Sequence, residues 1–138
     1  MFDFSELTTS QLNEQFSGDQ WPVFEQLELV DNTLVMQLYV PSDLRFFAGH
    51  FPEQPVLPGV VQIHWVGELA NYLFGLDAFQ ALKNVKFNSM VLPDNKVSLS
   101  MEHKLDKQTL RFAFSSETDK FSSGVLAFTQ VQEKQELK

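Results

Sequence analysis

The stretch that begins at Gly59, GVVQIHWVGELANYLF, is the most apolar helix-compatible segment of the chain, and its content would bury a helix of roughly 15 residues on most sides. Such a helix needs a cover. The segments on either side of it read as strands, and an antiparallel sheet likewise needs its apolar face covered, a task for which this helix is the one large element available. Each element answers the other's need. The expected fold class is therefore α+β, an antiparallel sheet of about six strands wrapped around one long central helix.

Hydrophobic alternation places the strands. Val23 to Leu29 and Thr33 to Val40 flank a turn at Asp31-Asn32, and Leu34, Met36, Leu38 and Val40 share one face, so the two segments read as a hairpin. Beyond a break at Gly75-Leu76-Asp77 lie four more strand-like segments: Leu82 to Val91, Val97 to Lys104, Thr109 to Ser116 and Phe121 to Val131. Turns fall between them at Pro93-Asp94-Asn95, Asp106-Lys107 and Thr118-Asp119. In the segment from 97, Val97, Leu99 and Met101 alternate with Ser98, Ser100 and Glu102, a half-buried pattern. Ser5 to Phe16 carries a weaker helical pattern with Leu7, Leu12 and Phe16 as anchors. The expected division is an N-terminal extension over 1–20, a single domain over 21–131 and a charged tail over 132–138.

Within the central helix, Val60, Ile63, Gly67, Ala70 and Phe74 share one face, and Val61, Trp65, Leu69 and Leu73 add a second apolar side. His64, Glu68 and Asn71 form a narrow polar stripe. On a nearly buried helix such a stripe must be hydrogen-bonded or functional. Taken by itself, His64 reads first as a core histidine satisfied by a carbonyl or by Glu68, and only second as a functional group.

The loop before the helix carries prolines at 41, 52, 55 and 58, which fix φ and remove backbone donors, so its shape is set before any ligand arrives. It holds one histidine, His50. A titratable group near a helix N-terminus is a means of polarising carbonyls.

Ten Lys plus Arg against eighteen Asp plus Glu give a formal charge of −8, which argues against nucleic acid or an anionic membrane as the main partner. The absence of cysteine excludes disulfides, thiolate nucleophiles and Cys-based zinc sites. The first residues lack a signal-peptide pattern, and no run approaches the ~18 apolar residues of a membrane span, so a cytoplasmic protein is expected. His64 and Glu68 could share a cation at i and i+4, but with no cysteine and only His103 left over a third ligand is hard to name, so neither metal nor cofactor is expected. Fourteen phenylalanines serve as core filling or line a cavity.

Across GHFPEQPVLPGVVQIHW, with Phe46 and Phe47 leading in and Gly49, His50, Phe51, Pro52, Pro55, Pro58 and Gly59 in place, the chain resembles the hot-dog-fold 3-hydroxyacyl-acyl-carrier-protein dehydratases of fatty-acid synthesis. Lys86-Phe87, Val91-Leu92-Pro93-Asp94 and Gly124 extend the resemblance, which covers about 33 to 131. The Val-Leu-Pro-Gly-Val-Val-Gln run with Trp65 is similar to the dehydratase-like proteins of aryl polyene gene clusters.

The resemblance implies that His50 removes the α-proton of a 3-hydroxyacyl thioester and that the Gly59 amide, with Val60 beside it, holds the thioester oxygen. Phe47, Phe51 and Pro58 would line the substrate tunnel. It further implies an acyl carrier protein with a phosphopantetheine-linked acyl chain as partner, and a site shared between subunits of a homodimer or of a heterodimer with another hot-dog protein. Fourteen residues after the motif histidine the family has Glu or Asp where this chain has His64, and four residues later it commonly has Gln where this chain has Glu68.

Three possibilities follow. A protonated His64 beside Glu68 donates the proton that elimination needs; Glu68 is the acid and His64 positions water or substrate; or the acid is lost and the protein binds acyl thioesters or supports an active partner. An acyl thioesterase with Glu68 as base is a further alternative. Docking of an acidic carrier protein would need a basic patch, for which Lys83, Lys86, Lys96, Arg111 and Arg45 are the candidates, each otherwise a solvated surface charge.

Overall fold

The computed structural model describes residues 4–48, 55–76, 79–104 and 108–128. A 3-10 turn at Phe4–Glu6 precedes α1 (Thr9–Gln15), β1 (Val23–Val30) and β2 (Thr33–Tyr39). A second 3-10 turn at Arg45–Phe47 leads towards α2 (Gly59–Phe74), which is followed by β3 (Phe79–Phe87), β4 (Lys96–Lys104), β5 (Thr109–Ser115) and β6 (Lys120–Phe128). The strands form one six-stranded sheet in the order β1-β2-β4-β5-β6-β3, antiparallel throughout.

Alternation along each strand sends one set of side chains to the helix side. Leu34, Met36 and Leu38 of β2, Val97, Leu99 and Met101 of β4, and Leu110, Phe112 and Phe114 of β5 are all buried. Against them α2 lays Val61, Trp65, Val66, Leu69, Ala70 and Leu73, and all these residues belong to one core cluster. The helix stops at Gly75, whose left-handed φ of 68° suits a residue without a Cβ; its amide donates to Asn71 O at 3.0 Å. The expected α+β wrap of six strands around one long helix is what forms.

Two local expectations need correction. The buried side of α2 is built on Val61, Gln62, Trp65, Val66, Leu69, Ala70 and Leu73, whereas Val60, expected on an apolar face, is 75% exposed. Periodicity finds apolar sides but cannot say which one a distant sheet will cover. With that rotation the stripe of His64, Glu68 and Asn71 lies on the open side of the helix, and all three residues are exposed. The strand expected over Leu82 to Val91 runs instead from Phe79 to Phe87. Asn88 keeps the register, its amide donating to the facing Phe121 carbonyl at 2.8 Å, and the ladder ends at Ser89, whose amide turns back to that same carbonyl at 3.3 Å.

The N-terminal residues enter the same core through Leu12 and Phe16, 0% and 5% exposed. A capping box starts α1: the Gln11 amide donates to Thr8 Oγ1 at 3.1 Å and the Thr8 amide to Gln11 Oε1 at 2.8 Å. Asn13 seats the helix on β1, donating to the Phe24 carbonyl at 3.0 Å and accepting from its amide at 2.8 Å. Among the described residues no helix is long and apolar enough to cross a membrane.

Candidate active site at the mouth of the central helix

The first turn of a helix leaves amides without intrahelical partners, and what satisfies them decides whether the end can bind anything. In α2 the amides of Val61 and Gln62 turn back to the Pro58 carbonyl, at 3.1 and 3.3 Å. Pro58 caps the helix without a side-chain hydrogen bond, and among the described residues the amides of Gly59 and Val60 have no acceptor. Among the described residues, two donors and the positive end of the helix dipole thus remain unpaired.

They border an open groove of about 380 Å³, whose walls include Val56, Pro58, Val60, Phe87 and Met90. These walls are mostly apolar. Gly59 sits under the Phe87 ring: a Cβ there would lie 2.6 Å from its Cε1 and Cζ, so any larger residue displaces that half-exposed ring.

Beneath the groove, a short chain of buried polar groups holds the loop to the helix and the sheet. Gln62 and Ser122 are 3% and 2% exposed. Gln62 Nε2 donates to the Leu57 carbonyl at 3.2 Å, and Ser122 Oγ donates to Gln62 Oε1 at 2.7 Å. The Leu57 amide in turn donates to the Val91 carbonyl at 2.8 Å. The backbone entering Pro58 and Gly59 is thus pinned from both sides. Sequence reasoning missed Gln62, although an amide among Val61, Trp65, Val66 and Leu69 on the buried side of a helix is a signal that it must be satisfied there.

His64 and Glu68 lie on the open side of α2, one and two turns beyond the mouth. Among the described residues no ion pair joins them. His64 instead stacks on Trp21, ring centroids 5.5 Å apart and planes inclined by 28°. Phe47 is half-buried against the core rather than part of the groove wall, while Pro58 does line it. His50 and Phe51 lie outside the described residues.

Of the candidate docking cations, Arg45 pairs with Asp19 at 3.1 Å, Lys96 with Glu25 at 3.8 Å and Arg111 with the half-buried Glu102 at 4.0 Å, surface pairs of small energetic weight. Lys83 and Lys86, both exposed on edge strand β3, have no ion pair among the described residues. His103 stands apart, beside Phe74 at the far end of α2, about 20 Å along the axis from the mouth. Its Nε2 is buried without a partner among the described residues, and burial lowers its pKa from the ordinary 6.5. Among the described residues no group of three or more acidic or histidine side chains could hold a metal ion.

Comparison with known proteins agrees with this architecture. The sequence model of the ApeI-like family, described as ApeI dehydratase, matches residues 26–125. A 3-hydroxyacyl-acyl-carrier-protein dehydratase FabZ from Chlamydia abortus is 30% identical, the match covering 78% of this chain and 78% of that one. A FabZ from Chlamydia caviae is 32% identical, with 56% of this chain matching 57% of that relative's length. Among solved structures, the dehydratase heterocomplex ApeI:P from Xenorhabdus doucetiae superposes with a TM-score of 0.73 at 32% identity, covering 80% of this chain and 99% of that one. A six-stranded sheet wrapped on one helix, an open helix mouth and a family match over most of the chain lead to one assignment: this protein is a hot-dog-fold member of the ApeI-like dehydratase family.

Proposed function

We propose that this chain dehydrates a 3-hydroxyacyl thioester, carried on the phosphopantetheine arm of an acyl carrier protein, to the trans-2-enoyl thioester. The observation that carries the proposal is the pair of amides, Gly59 and Val60, without an acceptor among the described residues, at the mouth of an apolar helix and beside an apolar groove. A thioester carbonyl set against those donors gains stabilisation as negative charge develops on its oxygen. His50, nine residues before Gly59 on the loop, takes the α-proton as general base. The electrons of the broken C–H bond form the Cα–Cβ double bond as the Cβ–O bond breaks, and the hydroxyl leaves as water once a proton reaches it.

That proton is the task of the stripe on α2. His64 and Glu68 face outward, so a loop and groove supplied by a second subunit are the natural complement to them. The similar Xenorhabdus protein belongs to a structure titled a dehydratase heterocomplex, which supports a hot-dog partner for this chain. In the proposal Lys83 and Lys86 on β3 receive the acidic carrier protein.

A second possibility is favoured by one residue. His64 stands where the resemblance expects a carboxylate, so the chain would be a catalytically silent subunit that completes a partner's site. Product analysis separates the two. Turnover of 3-hydroxyacyl-carrier-protein substrates by the chain, lost in His50→Ala and reduced in either His64→Gln or Glu68→Gln, supports dehydration and assigns the acid. Turnover seen only after a second hot-dog chain is added, and indifferent to His50→Ala, supports the silent subunit.

A further inference from the structure

We infer that residues 18–21, upstream of the family match, form a clamp between α2 and the Arg45–Phe47 turn and that Trp21 is a positioning residue for His64. This rests on the proposal above, which gives His64 its task. The clamp is tied at three points. Gly18, at φ 96°, opens a turn closed by the Trp21 amide on the Gly18 carbonyl at 3.4 Å. The Gln20 carbonyl accepts Trp65 Nε1 at 2.8 Å, and Trp65 is fully buried in the helix that carries His64. The Asp19 carbonyl accepts the Arg45 amide at 2.9 Å, while Asp19 Oδ1 accepts Arg45 Nε and Nη2, both at 3.1 Å. One tetrapeptide thus ties the helix that carries His64 to the Arg45–Phe47 turn.

The indole itself is held on two sides. Phe16, 5% exposed, packs against it at 4.8 Å between centroids, and His64 stacks near-parallel on it at 5.5 Å. An exposed histidine on a helix is free to change rotamer, and a ring fixed beside it removes that freedom. Holding a proton donor in one orientation raises the rate without tightening substrate binding.

The test uses the full chain, Trp21→Ala and Trp21→Phe, with 3-hydroxybutyryl-pantetheine as substrate and the His64 ring followed by carbon-proton NMR. In Trp21→Ala the His64 ring resonances move and broaden, and kcat falls on the order of tenfold while KM stays within about twofold. Trp21→Phe, which keeps an aromatic face, retains most of the wild-type resonance position and kcat. Unchanged His64 resonances in Trp21→Ala overturn the clamp whatever the activity. Moved resonances with unchanged kcat overturn the positioning role. If the wild type itself does not dehydrate the substrate, the functional proposal fails by itself, and the NMR comparison still decides the clamp.

Discussion

Gln62 offers a quantitative test of how the helix mouth is held. Gln62→Met keeps an unbranched side chain of similar volume but removes both hydrogen bonds, stranding the Leu57 carbonyl and the Ser122 hydroxyl inside the core. Leaving one buried polar partner unsatisfied costs about 1–3 kcal/mol. With two such groups, and a hydroxyl that can rotate in search of another acceptor, the expected loss is about 2–4 kcal/mol. Against a typical total of about 5–15 kcal/mol this is a large fraction. At a urea dependence of about 2 kcal/mol per molar, the middle of the usual range, it lowers the unfolding midpoint by roughly 1–2 M. Adding Ser122→Ala removes one of the stranded groups, so the double variant regains about 1–2 kcal/mol over Gln62→Met alone. Urea unfolding followed by tryptophan fluorescence reads both numbers. A Gln62→Met midpoint equal to wild type, or a double variant no more stable than the single one, refutes a structural role for this polar chain.

Two further outcomes follow from single residues. Gly59→Ala places a methyl against Phe87 and displaces either the ring or the first turn, so turnover falls on the order of tenfold or more, and Phe87→Ala in the same background restores part of it; no loss in Gly59→Ala contradicts the close approach. For His103, burial lowers the folded-state pKa below 6.5, so the unfolded chain takes up that proton first as the solution is acidified. Stability therefore falls as pH drops below about 6.5, until the folded-state value is passed, and is unaffected above it. His103→Leu flattens that part of a Tm-against-pH profile, and equal slopes for the two proteins contradict the assignment.

The elements that follow from local pattern were legible in the sequence. Leu34, Met36, Leu38 and Val40 alternate because one side of a strand is covered, and the structure buries all four. The helix mouth at Pro58-Gly59 was marked by residue types whose backbone preferences are local. What depends on distant partners was not legible. The outward turn of Val60 and the inward turn of Gln62 are set by where the sheet lies, and Gln62 finds its acceptor and donor at Leu57 and at Ser122, sixty positions away. The end of β3 is set at Phe121, whose carbonyl takes the in-register amide of Asn88 and then also that of Ser89. The helical pattern from Ser5 to Phe16 was visible, but nothing local to it announced that Phe16 would brace Trp21 against His64.

The central claim is that the open mouth of α2 serves elimination of water from a 3-hydroxyacyl thioester. Intact-protein mass spectrometry of a 3-hydroxyacyl carrier protein incubated with the purified chain, and with the chain plus a second hot-dog subunit, tests it most directly. The expected result is loss of one water from the acyl-carrier adduct, absent in His50→Ala and strongly reduced in Gly59→Ala. An adduct that keeps its water in every combination, or that releases free carrier thiol instead, contradicts it.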